Sequence, residues 1–373
     1  MKKRIFATFI ALVTVLSLCV CFSSCGKEKS YDIKEYRTTM QFYDDFKILQ
    51  IADLHFGIET DIYDQLELLK NNIREAEPDL IILTGDNFMY ASKGVVRSLV
   101  DTLNEECKLL TSRRGGRLTK FTLTFGNHDN QGDYPRYFIN EVVSSYVTKD
   151  GSEVADSKYA AFIDFENDDI FGLTNFYIDL VDDRTKSLDT VDVKYRVHII
   201  DSNTYHFVGP DYDYDVIHKD QLDHAVDIYN GATSDKDYIG LAFFHIPLFE
   251  YQDAWEQYKD SSQNGQGEFR ENALYGYENN GSYVKLKAAN ISAFFCGHDH
   301  INYGDFIFTD KNGDKAIMSY GVKATNQLYH DTDMIGYKLV TLKDNMSKED
   351  FVSMSNLESN FENVTRGYEH YED

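Results

Sequence analysis

Short apolar runs alternate with amphipathic stretches along the first third of the chain. Phe46 to Ala52 is a compact, mostly apolar run that stops at Asp53 and reads as a strand. Ile62, Leu66, Leu69 and Ile73 then recur three or four apart, the spacing of one helix face. Pro78-Asp79 closes that helix, and Leu80 to Leu83 reads as a buried strand running into Gly85-Asp86. Val96, Leu99, Leu103, Cys107 and Leu110 mark a second amphipathic helix. Arg113 to Leu118 is a basic, glycine-containing turn, and Phe121 to Phe125 is a third strand ending at Gly126-Asn127. This alternation predicts parallel pairing through right-handed crossovers.

Farther along, Tyr159 to Asp164, Phe171 to Val181 and Tyr195 to Asp201 read as strands separated by polar turns, with an antiparallel flavour. A helix is expected over Lys219 to Tyr229. Ile239 to Phe244 is a strand ending at His245, and Ile291 to Cys296 is a strand ending at Gly297-His298. Tyr303 to Phe308, Lys315 to Ser319 and Gly336 to Leu342 supply the closing strands. Between these, Phe249 to Tyr283 is long and polar and carries Trp255, Arg270 and several tyrosines. It reads either as a lid or rim loop over a site or as a solvated insertion. No repeat of fixed period and no convincing linker interrupts the pattern, so one folded domain is expected over residues 46–345.

The ends read differently. Lys2, Lys3 and Arg4 precede an apolar run from Ile5 to Val20, followed by Ser23, Ser24 and Cys25. A basic start, an apolar middle and small residues at the close make a secretory signal. A run of 16 residues falls short of the roughly 20 that a spanning helix needs. Phe22-Ser23-Ser24-Cys25-Gly26 resembles the bacterial lipobox, in which the Cys is lipidated and becomes the first residue; Phe22 stands where Leu is usual. The resemblance implies a lipoprotein held at the cell envelope, outside the cytoplasm, through a lipid on Cys25. The alternative is a plain signal peptide cut nearby, with an incidental thiol. Residues 26–45 then form a tether, and residues 346–373 an acidic tail.

With 42% hydrophobic residues in 373, the chain can bury a large core. Its net charge of −25 argues against general binding of nucleic acids or anionic lipid headgroups. A phosphate would need local positive charge, and no Lys/Arg cluster lies near the polar motifs, so metal ions are the expected source. Cys107 and Cys296, in apolar surroundings, read as buried thiols rather than a disulfide framework.

Five motifs directly follow predicted strands: Asp53-Leu54-His55, Gly85-Asp86-Asn87, Gly126-Asn127-His128-Asp129, His245, and Gly297-His298-Asp299-His300. Ligands of open α/β sheets bind beyond the carboxyl ends of strands, so these ends could converge on one site. Carboxylates, imidazoles and an amide oxygen, without thiolates, suit borderline-hard divalent metals, with manganese, iron and zinc all compatible. The glycines before Asp86, Asn127 and His298 let the backbone approach a ligand closely. Each motif alone has a bland reading: Asp-x-His as a capped loop, Gly-Asp as a turn, His245 as a satisfied core histidine. Asp129 reads as an orienter of His128 or as a solvent-facing turn residue, and Asp299 carries the same two readings. Clustered imidazoles are poor core material, which favours the functional reading of the set.

These blocks, in this order, resemble those of the calcineurin-like metallophosphoesterases. The strings from Lys47 to Phe56 and from Phe243 to Leu248 resemble more specifically the Dcr2-type phosphatases and their purple-acid-phosphatase-like plant relatives. The resemblance spans roughly Phe46 to Asn302. It implies an α/β fold, a four-layer α/β/β/α sandwich with two facing mixed sheets and the site at their shared edge. It further implies a first metal held by Asp53, His55, Asp86 and His300, and a second held by Asp86, Asn127, His245 and His298. Asp86 would bridge two divalent ions, and His128 would stand beside the substrate as the catalytic group. Purple acid phosphatases carry a Tyr ligand three positions after the bridging Asp, where this chain has Met89, so no tyrosinate-iron site is expected. The implied activity is metal-dependent phosphoric ester hydrolysis by a metal-bound hydroxide, on a small phosphomonoester or a phosphoprotein. A phosphodiesterase, or a non-catalytic phosphate- or metal-binding surface protein, are the alternatives.

Overall fold

The computed structural model describes residues 32–58, 62–132, 135–146, 159–163, 170–182, 192–231, 236–261, 265–344, 346–352 and 357–360. The signal segment, Cys25 and most of the acidic tail lie outside them. A 3-10 turn, Ile33–Tyr36, leads into β1 (Arg37–Gln41). Then β2 (Phe46–Ile51), α1 (Tyr63–Ala76), β3 (Leu80–Thr84), α2 (Lys93–Arg113) and β4 (Lys120–Thr124) follow in the expected alternation. Helix α3 (Arg136–Ser144) precedes β5 (Phe176–Val181), β6 (Val193–Ile199) and a hairpin of β7 (Tyr205–Val208) and β8 (Asp211–Tyr214). Next come α4 (Lys219–Gly231), β9 (Ile239–Phe243), α5 (Glu250–Ser261), β10 (Gly265–Phe269), α6 (Ser282–Ala288) and β11 (Ile291–Cys296). The described chain closes with β12 (Asn302–Thr309), β13 (Lys315–Tyr320), β14 (Tyr337–Leu342), α7 (Lys348–Val352) and β15 (Leu357–Asn360).

Two mixed sheets result. The five-stranded sheet runs β15-β14-β2-β3-β4, with β2, β3 and β4 parallel. The eight-stranded sheet runs β1-β5-β6-β9-β11-β13-β12-β10, with β6, β9, β11 and β13 parallel. Buried polar bonds join the sheets face to face. Gln50 of β2 donates to Cys296 O of β11 at 2.9 Å, and Thr124 of β4 to Ile200 O at 2.9 Å. The buried Lys338 of β14 places its ammonium on Gly304 O (3.1 Å), Ser319 Oγ (2.8 Å) and Asp305 Oδ1 (2.5 Å), so all three of its protons meet an oxygen. Helices α1 and α2 pack together outside the first sheet, and α5 and α6 lie against β12 and β11 of the second. Helix, sheet, sheet and helix thus stack in four layers. Tyr251, Leu286, Phe294, Phe306 and Met318 share one apolar cluster between the second sheet and its helices; burying each contributes about 1.5–3 kcal/mol.

Several sequence expectations need correction. Arg37–Gln41, read as tether, pairs in parallel with β5, and Arg37 Nε sits 2.7 Å from the buried Asp179 carboxylate. Both partners are buried, at 1% and 0% side-chain exposure, so losing the carboxylate would leave an uncompensated buried charge. Leu357–Asn360, read as tail, pairs antiparallel with β14. Tyr159 to Asp164 supplies one bridge, Ala160 to Phe121, rather than a strand, and the strand expected from Phe171 starts at Phe176. The segment from Phe249 to Tyr283 is neither lid nor solvated insertion, since α5 and the sheet-edge strand β10 occupy half of it. Tyr251, Ala254, Trp255 and Tyr258 recur at helical spacing, and Trp255 stacks on Phe269 at 4.9 Å. Cys107 and Cys296 are free and buried, as expected. Among the described residues no helix is long and apolar enough to cross a membrane.

Candidate metal centre

The five motifs sit at the carboxyl ends of β2, β3 and β4 in one sheet and of β9 and β11 in the other. Asp53, His55, Asp86 and His300 form one buried cluster, and Asp86, His245 and His298 a second. Within each, one donor atom per residue lies within 4.8 Å of the others. Asp86 belongs to both.

The close packing follows from the backbone. Asp53, His55, Asp86 and His298 adopt φ of 57°, 51°, 49° and 85°, the left-handed region that L residues rarely occupy. Hydrogen bonds from Asp53 N to Gly85 O (3.2 Å) and from His55 N to Asp86 O (2.9 Å) tie the first two strand ends together. A Cβ on Gly126 would stand 2.2 Å from Asp86 Oδ1 and 2.7 Å from the His245 ring. Only glycine lets these strand ends close in this way.

Donor spacing fits bound metal. Donors held at about 2.1 Å by one ion stand about 3.0–3.4 Å apart. His245 Nε2 lies 3.2 Å from Asp86 Oδ2, 3.2 Å from Asn127 Oδ1 and 3.2 Å from His298 Nδ1. In the first cluster His55 Nε2 is 3.2 Å from Asp86 Oδ2, and His300 Nε2 is 3.7 Å from Asp53 Oδ1. His55 Nε2 is buried without a hydrogen-bond partner, as a metal donor would be. The opposite ring nitrogens are occupied: His245 Nδ1 faces Thr84 O at 3.0 Å, and His300 Nδ1 faces Tyr329 O at 2.8 Å. Those carbonyls hold the tautomer that leaves Nε2 free to coordinate. All seven residues, Asp53, His55, Asp86, Asn127, His245, His298 and His300, are buried.

His128 stands apart. Its Nε2 is 3.9 Å from Asp86 Oδ2, its ring centroid is 5.2 Å from that of His55, and its side chain is 23% exposed. Its backbone N–H donates to Asp86 Oδ1 at 2.8 Å, so the residue anchors the carboxylate shared by both clusters while its ring stays partly exposed.

Electrostatics without metal are tense. Burial pushes the Asp53 carboxyl up to about 6, against the pull of His245. Burial would lower His245, but the Asp86 carboxylate overrides it and raises this imidazole to about 9. Burial also brings His55 down to about 4.

Both readings of Asp129 fail. It is buried, and it accepts from Gly126 N (2.8 Å), Phe88 N (2.8 Å) and Asn87 Nδ2 (3.1 Å), clamping the loops after β3 and β4 rather than touching His128. Burial and the nearby Asp86 push it up to about 7. Asp299 is buried too, accepting from Tyr320 Oη at 2.5 Å and Leu274 N at 3.2 Å, so it braces the ligand loop.

Sequence reasoning missed Lys323 and Tyr205. Buried Lys323, in the loop after β13, donates to Asp53 O at 3.0 Å and lies 3.2 Å from His55 Nδ1; burial lowers its ammonium to about 8. A lone Lys between small and apolar residues carries no signal that could reveal this. Tyr205 Oη accepts from Asn127 Nδ2 at 2.8 Å, turning the amide so that Oδ1 faces His245. Tyr90, one residue beyond Met89, is 59% exposed, whereas the donors of both clusters are buried. Arg270 is engaged by Glu268, Asp331 and Asp333.

The chain is similar to several known proteins. "Phosphatase DCR2" of Saccharomyces cerevisiae is 26% identical over 294 residues, covering 74% of this chain and 47% of that protein. The chain thus spans about half the length of that yeast relative. "Probable inactive purple acid phosphatase 29" of Arabidopsis thaliana is 26% identical over 329 residues, covering 81% of this chain and 78% of that protein. A dimetal phosphatase of Danio rerio, 12% identical, superposes with a TM-score of 0.43 over 81% of this chain and 94% of its own. Residues 46–302 match the calcineurin-like phosphoesterase family, and the chain belongs to it.

Proposed function

We propose that the chain is a metal-dependent phosphomonoesterase. The observation that carries this reading is the sharing of Asp86 by two buried donor clusters, with the accessible His128 beside them. When bound, two divalent ions would polarise the phosphoryl oxygens and supply hydroxide near neutral pH. The chain's own residues do the rest. Asp53 and Asp86 bring only two negative charges against four, leaving the site positive in a protein of net charge −25. Lys323 adds a cation beneath the Asp53–His55 turn. His128, outside both clusters, is placed to donate its proton to the departing oxygen. The test is reconstitution of chelated protein with manganese, iron or zinc, followed by turnover of an aryl phosphomonoester and the matching diester. Faster diester cleavage would replace the monoesterase reading. Absence of turnover with any metal would leave a non-catalytic binding protein.

Substrates of this charge type include small phosphorylated molecules and phosphoproteins, while the net charge disfavours long polynucleotides. The N-terminal pattern supports attachment to the envelope membrane through lipidated Cys25, and Cys25→Ala is expected to move the protein from the detergent phase to the soluble extracytoplasmic fraction.

Metal uptake is expected to release a proton near neutral pH. His245, at about 9 in the metal-free protein, is protonated at pH 7 and must yield Nε2. The sign follows from a folded value above the ordinary 6.5. The His245–Asp86 attraction stabilises metal-free protein fully below that ordinary value and fades as pH rises through about 9. Metal affinity, set by the folded value alone, therefore climbs about tenfold per pH unit up to about 9 and levels above it. Calorimetry in buffers of different ionisation heat counts the proton, and a count near zero at pH 7 contradicts the assignment.

Tyr205→Phe removes the hydroxyl that orients Asn127. Metal affinity at the second cluster is expected to fall about 10–100-fold, with the first cluster spared. Equal affinities in the variant and the parent protein would refute this positioning.

A further inference from the structure

The hairpin of β7 and β8 stands directly over the second cluster. Tyr205 pairs with Tyr214 and Phe207 with Tyr212 across the two strands. Alternation along each strand therefore puts all four rings on one face. At its base this face touches the metal donors: Tyr205 holds the Asn127 amide at 2.8 Å, and the Tyr214 ring meets the His298 ring edge-on at 4.2 Å. From there the rings continue outward. Tyr205 lies 5.1 Å from Tyr212 and 6.4 Å from Phe207, centroid to centroid, and Phe207 lies 6.2 Å from Tyr212. The outer two are 70% and 66% exposed. The opposite face is anchored, with His206 stacked on Tyr277 at 3.9 Å and Tyr277 N donating to Tyr214 O. One face is thus fixed to the body, while the other presents an aromatic ladder that starts at the metal donors and ends in solvent.

We propose that this ladder is the leaving-group subsite, and that it selects phosphoesters of planar aromatic or heteroaromatic alcohols. The assignment rests on the phosphoester reading of the metal centre. Exposed rings cost free energy unless something covers them in use, and these rings are continuous with the place where the phosphoryl group would be held. Asn127, gripped by Tyr205, immediately precedes His128, the group assigned to the departing oxygen. The moiety leaving on that side lies next to the ladder. A planar group can stack on Phe207 and Tyr212 without hydrogen-bond readout, because every aromatic ring presents a face. The carboxylates of Asp211 and Asp213 lie on the other face by the same alternation, so anionic groups are not repelled from the ring side.

The test uses the full chain reconstituted with manganese and two ligands that cannot be hydrolysed, 1-naphthylphosphonate and methylphosphonate. Binding is read by calorimetry, in the parent protein and in a Phe207→Ala/Tyr212→Ala double variant. Both positions are solvent-exposed, so folding is retained. The parent protein is expected to bind the naphthyl ligand about tenfold more tightly than the methyl one. In the variant the two affinities should converge, with methylphosphonate unchanged. A preference that survives in the variant overturns the proposal, and so does a parent protein that shows none. Equal weakening of both ligands also overturns it, since the hairpin would then be acting on the metal donors. Turnover of 1-naphthyl phosphate is measured in parallel. Discrimination in binding without any turnover supports the subsite and sinks the hydrolase reading instead.

Discussion

Asp86→Ala is expected to strip both clusters of metal at once and to lower turnover by on the order of 10³-fold or more. Each electrostatic group of this kind is worth about 10²–10³ alone, and Asp86 serves two donor sets. Its Oδ2 lies 3.2 Å from His55 Nε2 on one side and 3.2 Å from His245 Nε2 on the other. His300→Ala and His298→Ala provide the contrast, because each touches one cluster only. Metal content should fall in a single cluster for either of these, and in both for Asp86→Ala. The carboxylate also accepts from His128 N at 2.8 Å, so Asp86→Asn is the companion variant that keeps this bond and the local shape. It should lose charge and metal, and because it also loses the attraction to His245 its chelated form should melt somewhat below the chelated parent at neutral pH. If Asp86→Ala retains both metals at parental affinity, the shared-carboxylate description of the centre is wrong.

The parts of this centre that could be read from sequence share one property: they lie at the ends of short apolar strands, and in three of the five runs glycine abuts a candidate metal-binding side chain. Gly85-Asp86, Gly126-Asn127-His128 and Gly297-His298 announce themselves because glycine is needed where a Cβ would strike a neighbouring donor, as on Gly126 against Asp86. The order β2, α1, β3, α2, β4 was legible for a similar reason, since buried parallel strands and amphipathic helices differ in period. The edges were not legible. β1 has a polar sequence, Arg-Thr-Thr-Met-Gln, because it is an edge strand, and its Arg37 is buried only through a partner, Asp179, far along the chain. Helix α5 was hidden by its tyrosines, which read as a wet surface until Tyr251 is found buried in the core. The hairpin of β7 and β8 does alternate aromatic with other residues, but its strands are only four residues each and rich in Asp, so no aliphatic core run marks it. Lys323 and Tyr205 reach the metal donors across the fold from loops and strands without a motif, and only tertiary structure reveals such partners. Asp129 was misread because adjacency to His128 in sequence suggested contact, whereas its carboxylate turns back onto Gly126 N and Phe88 N.

His128→Ala separates chemistry from metal binding. Its ring belongs to neither cluster, is partly exposed, and holds its Nε2 3.9 Å from Oδ2 of the shared Asp86 carboxylate. The substitution keeps the backbone N–H that donates to Asp86 Oδ1, so the bridge should stay in place and both metals should remain. Turnover should nevertheless drop by about 10²–10⁴, the range for a general acid or a charge-stabilising group. The size of the drop should track the leaving group. An alcohol that departs readily as its anion needs little protonation, so esters of acidic phenols should lose least and alkyl esters most. A purely structural role would instead depress all substrates by the same factor and lower metal content as well. Metal analysis and a leaving-group series on the parent protein and the variant distinguish the two. Full metal with an unchanged rate on an alkyl ester would remove His128 from the reaction and leave solvent at the metal centre as the proton source.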